Sequence, residues 1–227
     1  MPEFNPDMVL FDLDGTLVDS VPDLTIAINA MLENLGLPLH NEESIRLWIG
    51  DGLERLLKRA LINDLYGEPG DTLYARAYPL FMQYYTENTC NETRLYKGVE
   101  TALDYLNSND YKLGCVTNKM EVFTHRILRE LDIYDAFGII ISGDTLPRKK
   151  PDPLPLKHAA NYFNASPDDS LMIGDSKNDI VAANAAGFRI CCVTYGYNQG
   201  NDIRSAGPDA VLDTLADLPG LLGDYPC

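Results

Sequence analysis

Six short apolar runs punctuate the chain: Val9-Leu10-Phe11, Leu113-Gly114-Cys115-Val116, Ile139-Ile140-Ile141, Leu171-Met172-Ile173, Ile190-Cys191-Cys192-Val193 and Ala210-Val211-Leu212. Few polar residues interrupt them, which is the pattern of strands covered on both faces. Between the later runs, apolar residues recur at helical spacing over 119–131, where Val122, Ile127 and Leu131 fall, and over 154–163 and 178–186. Strand and helix alternating from about residue 98 onward predict an α/β fold, a Rossmann-like parallel sheet with helices on both faces.

The stretch between Val18 and Tyr96 has a different rhythm, helical throughout and with no clear strand. Leu24, Ile28, Met31, Leu32 and Leu35 make one stripe; Leu53, Leu56, Leu57 and Leu61 make a second; Leu73, Ala77, Leu80, Phe81 and Tyr84 make a third. Gly36 with Pro38 ends the first helix, and Gly67, Pro69 and Gly70 break the run again. The expected organisation is therefore a core domain of residues 1–17 and 96–227, interrupted after its first strand by a helical cap domain, 18–95.

Charge narrows the function classes. The 227 residues carry 34 acidic and 18 basic side chains, a net charge of −16. A general affinity for nucleic acid or an anionic membrane is not expected of such a surface. No apolar run approaches the ~18 residues of a membrane span, and the N-terminus lacks the basic-then-apolar pattern of a secretory signal. Cys90, Cys115, Cys191, Cys192 and Cys227 are odd in number and without a zinc or disulfide spacing, so they read as reduced thiols of a cytoplasmic protein. His40, His125 and His158 are scattered and receive no role.

The strand ends carry the candidate chemistry. Asp12 and Asp14 leave the first strand at i and i+2, on one side of an extended segment, with Gly15-Thr16 behind them. Ligands bind open α/β sheets at this edge. Taken alone, Asp-Gly is also a common surface turn. The second strand runs into Thr117-Asn118-Lys119 and a helix, which is either an anion site or an ordinary helix cap. The third leads to Arg148-Lys149-Lys150-Pro151, a placed positive charge or a solvated basic loop. The fourth leads to Gly174-Asp175, with Asp179 one helical turn later. Acidic groups converging at one edge need a cation, and oxygen ligands without His or Cys favour Mg²⁺.

In this order, Asp-x-Asp-Gly-Thr, Thr-Asn-Lys, Lys-Pro and Gly-Asp-x-x-x-Asp resemble the haloacid dehalogenase-like (HAD) hydrolase superfamily, over nearly the whole chain. Within it, "LWIGDGLERLL", "YKGV", "CVTNK", "MIGDSKNDI" and "VTYGYNQG" are similar to segments of the bacterial phosphoglycolate phosphatases, with Lys97 standing where many relatives have Pro. The resemblance implies a Mg²⁺-dependent phosphomonoesterase acting on 2-phosphoglycolate. It makes Asp12 the nucleophile that forms an aspartyl phosphate, and Asp14 the general acid and then base. Thr117 and Asn118 would hold phosphate oxygens. Lys150 would steady the phosphate and Asp12. Asp12, Asp175 and the backbone carbonyl of Asp14 would ligate Mg²⁺, with Asp179 supporting them from behind.

Trp48 to Arg55 is the cap segment expected to face substrate, with Arg55 either pairing with a small carboxylate or lying on a solvated face. Gly50-x-Gly52 lacks the third glycine of a dinucleotide loop and follows no strand. A sugar phosphate, N-acetylmuramic acid 6-phosphate, or mutase chemistry on β-glucose phosphate is the alternative. A receiver-type signalling domain shares some of these groups, but the helical insertion argues against it, and a silent binding protein would not need the full set. The expected partner is a small phosphorylated substrate, bound by a monomer or small homo-oligomer.

Overall fold

The computed structural model describes residues 4–223; Cys227 lies outside them. Six strands form one parallel sheet: β1 (Met8–Phe11), β4 (Lys112–Val116), β5 (Ile139–Ile141), β6 (Ser170–Gly174), β7 (Arg189–Val193) and β8 (Ala210–Leu212), in the order β5-β4-β1-β6-β7-β8. The chain leaves β1 toward β4 and β5, then returns to β6 on the other side, so β1 sits at the point where strand order reverses. Crevices that bind ligands open there.

Alternation along the strands sorts their side chains between two cores. Val9, Phe11, Cys115, Ile173 and Cys191 pack on one face, beneath α5 (Val99–Ser108), α6 (Glu121–Glu130) and α9 (Leu218–Leu221). Met8, Leu10, Val116, Met172 and Cys192 pack on the other, beneath α7 (Leu154–Phe163) and α8 (Lys177–Ala186). Adjacent Cys191 and Cys192 thus point to opposite sides, and both are buried free thiols. The edge strands β5 and β8 are only partly covered.

The helical block comprises α1 (Val21–Leu35), α2 (Glu42–Arg46), α3 (Leu53–Ile62) and α4 (Asp71–Glu87) around a third cluster that includes Leu24, Ile28, Met31, Leu57, Phe81 and Tyr85. Gly36, left-handed at φ 68°, closes α1. The buried stripe of α4 runs Ala77, Phe81, Tyr85; Leu73, Leu80 and Tyr84 lie beside it, half-buried.

The expectation of no strand between Val18 and Tyr96 does not hold. β2 (Val18–Asp19) and β3 (Arg94–Leu95) form an antiparallel ribbon, pairing Val18 with Leu95 and Asp19 with Arg94. Two residues are too few to show a period-two pattern. Buried Asp23 fastens the same junction by accepting bonds from the Thr93 N–H (2.8 Å), the Thr93 hydroxyl (2.7 Å) and the Glu92 N–H. No helix among the described residues is long and apolar enough to cross a membrane.

Candidate active site

Register brings the site together. Phe11 is level with Cys115 on one side and Ile173 on the other. The residues just beyond these strands, Asp12, Thr117 and Asp175, therefore emerge along one edge.

Lys150 is 2% exposed, and its ammonium lies 3.0 Å from Asp12 Oδ1 and 2.7 Å from Asp179 Oδ1. Asp12 Oδ1 also accepts from the Leu13 N–H at 2.7 Å. Burial pushes Asp12 up to about 7, against the pull of Lys150, while the two carboxylates push Lys150 upward against its own burial. Asp179 is the third residue of α8, in a capping box with Ser176. Its Oδ2 accepts from the Ser176 hydroxyl and N–H and from the Asp175 N–H, so both of its oxygens are engaged.

Asp175 is buried. Its Oδ1 accepts from the Thr16 hydroxyl at 2.8 Å, and its Oδ2 from the Tyr197 N–H at 2.6 Å. Burial, and then its neighbours Asp12 and Asp179, raise it well above the usual carboxylate range. A Cβ at Gly15 or Gly196 would lie 2.3 or 2.4 Å from Asp175 Oδ2, so only glycine fits at either place. Oxygens of Asp12, Asp175 and Asp179 come within 4.8 Å of one another, with one ammonium among three carboxylates. That leaves uncompensated negative charge in a buried, all-oxygen setting, which suits a hard divalent cation. Asp179 Oδ2 is saturated by three donors and its Oδ1 faces Lys150. Asp175 accepts one bond at each oxygen and the bonds to Asp12 fall on Oδ1, so Asp12 and Asp175 are the members with lone pairs left for it.

Asp14 turns away from this cluster. Its oxygens lie 3.0 and 3.2 Å from the Lys119 ammonium, and its Oδ1 accepts from the Ser20 hydroxyl at 2.5 Å. Any metal role for Asp14 thus falls to its backbone carbonyl. Lys119 is a site residue to which the sequence assigns no role, although it closes the Thr117-Asn118-Lys119 run at the start of the helical spacing over 119–131. The helix begins at Glu121, and Lys119 sits in the preceding loop, buried, with its ammonium 5.2 Å from the centre of the Tyr85 ring.

Thr117 and Asn118 both reach the site. The Thr117 hydroxyl accepts from the Lys119 N–H. Asn118 spends its side-chain amide on two carbonyls, Lys150 and Gly50, each at 2.9 Å, rather than holding it free for a phosphate.

Gly50 belongs to the loop between α2 and α3, which docks on the sheet edge. Asn178 also donates to the Gly50 carbonyl (3.2 Å) and to Asp51 Oδ1 (2.8 Å), and the Lys149 ammonium donates to the Asp51 carbonyl (2.7 Å). A cavity of about 50 Å³ lies beneath, between Asp12, Asp14, Thr117 and Lys119 on one side and Ile49, Leu53, Leu56 and Tyr85 on the other. Arg55 is absent from it. Each residue turns an α-helix by 100°, so Arg55 points away from the face that carries Leu53 and Leu56. It binds Glu68 at 2.6 Å and the Leu65 and Gly67 carbonyls instead.

The family model for haloacid dehalogenase-like hydrolases matches residues 9–193. The phosphoglycolate phosphatase of Nitrosococcus oceani is 53% identical over 217 residues, 96% of each chain. That of Nitrosospira multiformis is 47% identical over 94% of each. The crystal structure of a predicted phosphoglycolate phosphatase from Haemophilus somnus aligns with a TM-score of 0.89 at 37% identity, covering 97% of this chain and 99% of that one.

Proposed function

The chain belongs to the haloacid dehalogenase-like hydrolase family, and from that premise we propose that it hydrolyses 2-phosphoglycolate to glycolate and phosphate. The observation that carries this reading is the placement of two differently held carboxylates in one small cavity. Asp12 is braced by Lys150, and Asp14 by Lys119 and Ser20.

In this reading Asp12 attacks phosphorus as the glycolate oxygen leaves, and Asp14 gives that oxygen its proton. Asp14 then takes a proton from water. The water attacks phosphorus, the bond to Asp12 breaks, and phosphate departs. Lys150 holds Asp12 for attack and offsets charge on the phosphoryl oxygens, which phosphoryl transfer needs above all. Asp12, Asp175 and the Asp14 carbonyl would hold Mg²⁺, with Asp179 anchoring Lys150. When bound, the ion supplies neutralisation of the carboxylate and phosphoryl charge. Thr117 would contact the phosphate. Asn118 would secure the closed loop, and Lys119 would face the carboxylate end of the substrate.

The cavity holds a few water molecules' worth of space. That supports a two-carbon ester over a hexose phosphate. Residues 18–95 act as a cap over a core of 1–17 and 96–227, a division supported by the separate hydrophobic cluster of the helices and by the ribbon that joins them to the sheet. The free thiols support a reducing, cytoplasmic setting, and the net charge of −16 supports a small phosphate ester as partner, not nucleic acid.

The test is phosphate release from a panel of esters including 2-phosphoglycolate, with and without Mg²⁺. Preference for 2-phosphoglycolate that vanishes in Asp12→Asn is expected. Equal turnover of hexose phosphates would overturn the substrate assignment.

A further inference from the structure

The segment Val193-Thr194-Tyr195-Gly196-Tyr197 follows β7 and wraps the back of Asp175, yet takes no part in the reaction proposed above. We infer that Tyr197 is a positioning residue that links the orientation of Asp175 to the seating of the helical block. The inference rests on Asp175 being a holder of the metal.

Two ends of one residue make the link. The backbone N–H of Tyr197 donates to Asp175 Oδ2 at 2.6 Å. Tyr197 is only 3% exposed, and its phenol reaches the ribbon under the block: the hydroxyl donates to Asp19 Oδ1 at 2.6 Å and accepts from the Ser20 N–H at 3.1 Å. Arg46, on α2 of the block, closes over both partners. Its guanidinium is 3.1 Å from Asp19 Oδ2 and 5.1 Å from the centre of the Tyr197 ring.

Neighbours leave the segment little freedom. The Tyr195 hydroxyl donates to the Thr16 carbonyl, and the Thr16 hydroxyl holds the other oxygen of Asp175. Gly196 lies too close to Asp175 for any side chain. Ser20, pinned by Tyr197 through its N–H, uses its hydroxyl on Asp14. Rotation of the block at Asp19–Ser20 therefore shifts Tyr197, and through it Asp175. By linkage, what tightens one end tightens the other.

The experiment titrates Mg²⁺ alone, by calorimetry, into the full-length wild type, Tyr197→Phe and Arg46→Met. Thermal melts establish that each variant folds. Phe keeps the ring and the backbone donor and loses only the hydroxyl. Tyr197→Phe is expected to bind Mg²⁺ about tenfold more weakly, the lower end of what a lost ligand-orienting contact costs. Arg46→Met, which touches no carboxylate of the cluster, is expected to weaken it in the same direction, and kcat of Tyr197→Phe recovers at saturating Mg²⁺. Wild-type affinity in Tyr197→Phe would overturn the inference. A loss in Tyr197→Phe with none in Arg46→Met would overturn the link to the block. A wild type that binds no Mg²⁺ would overturn the metal reading of Asp175 itself, and this inference with it.

Discussion

The ammonium of Lys119 lies 3.0 and 3.2 Å from the two carboxylate oxygens of Asp14, across 105 positions of sequence. Both side chains are largely buried at the mouth of the cavity, so the pair is poorly screened by solvent and fixes where the Asp14 carboxylate points. In Lys119→Met, Asp14 keeps only the Ser20 hydroxyl. We expect kcat for phosphate release to fall about a hundredfold, within the range a positioned acid–base group contributes. An unchanged kcat would show that Lys119 does not orient Asp14.

Lys150 serves two buried carboxylates, and its loss strands both. Lys150→Met should destabilise the metal-free protein by about 3–5 kcal/mol, the cost of leaving a buried partner unpaired. Urea denaturation without metal measures this. A loss under about 1 kcal/mol would mean that water reaches Asp12 and Asp179 more freely than their burial implies.

Metal and pH act on the same charges. The folded, metal-free protein holds Asp12 raised to about 7, and Asp175 is raised too. An unfolded Asp titrates near ~3.9. A carboxyl raised on folding contributes stability that is present below its unfolded value and is lost as pH rises through its folded value. Melting temperature without metal should thus fall between about pH 4 and 7. Lys150, Asp179 and Cys115 face Asp12; Lys150 stays charged and Cys115, raised by burial, stays protonated across this window. Mg²⁺ requires ionised ligands, so the stabilisation it gives should grow over the same range. A Mg²⁺ effect independent of pH would contradict the assignment.

The docked loop invites a test of closure. Asn178→Leu removes its bonds to the Gly50 carbonyl and Asp51 Oδ1. At about 1 kcal/mol each, KM should rise about tenfold or more. The melting temperature should fall by only a few degrees, the size expected of about 2 kcal/mol in a chain of this length, with the protein still folded for the assay. A KM at the wild-type value would mean that the loop seats without Asn178.

Arg55→Ala should leave KM for 2-phosphoglycolate within about twofold, because Arg55 pairs with exposed Glu68 and a surface pair contributes about 1 kcal/mol or less to folding. A large rise in KM would return Arg55 to the substrate.

The six strands were legible because each is an unbroken apolar run, and their polar ends announced the site edge. Lys119 was not legible as a partner of Asp14. Nothing local distinguishes a lysine that opens a helix from one that lies in a loop two residues earlier. Arg55 misled for a related reason: the sequence gives its charge, but its direction depends on where α3 begins and on Glu68, thirteen positions away. The β2–β3 ribbon was hidden by its brevity.

That ribbon has a consequence for how the molecule can change. Val18 and Leu95 are paired side by side, and Asp23, in the first turn of α1, holds Thr93, the residue just before β3. Everything between them enters and leaves the sheet through one doorway. A different insert with neighbouring ends could be mounted there at little cost in loop entropy, provided that Asp19 and Ser20 stay in place for Tyr197 and Asp14. What lies beyond the doorway can thus vary so long as the doorway itself keeps the contacts that reach Asp14 and Asp175.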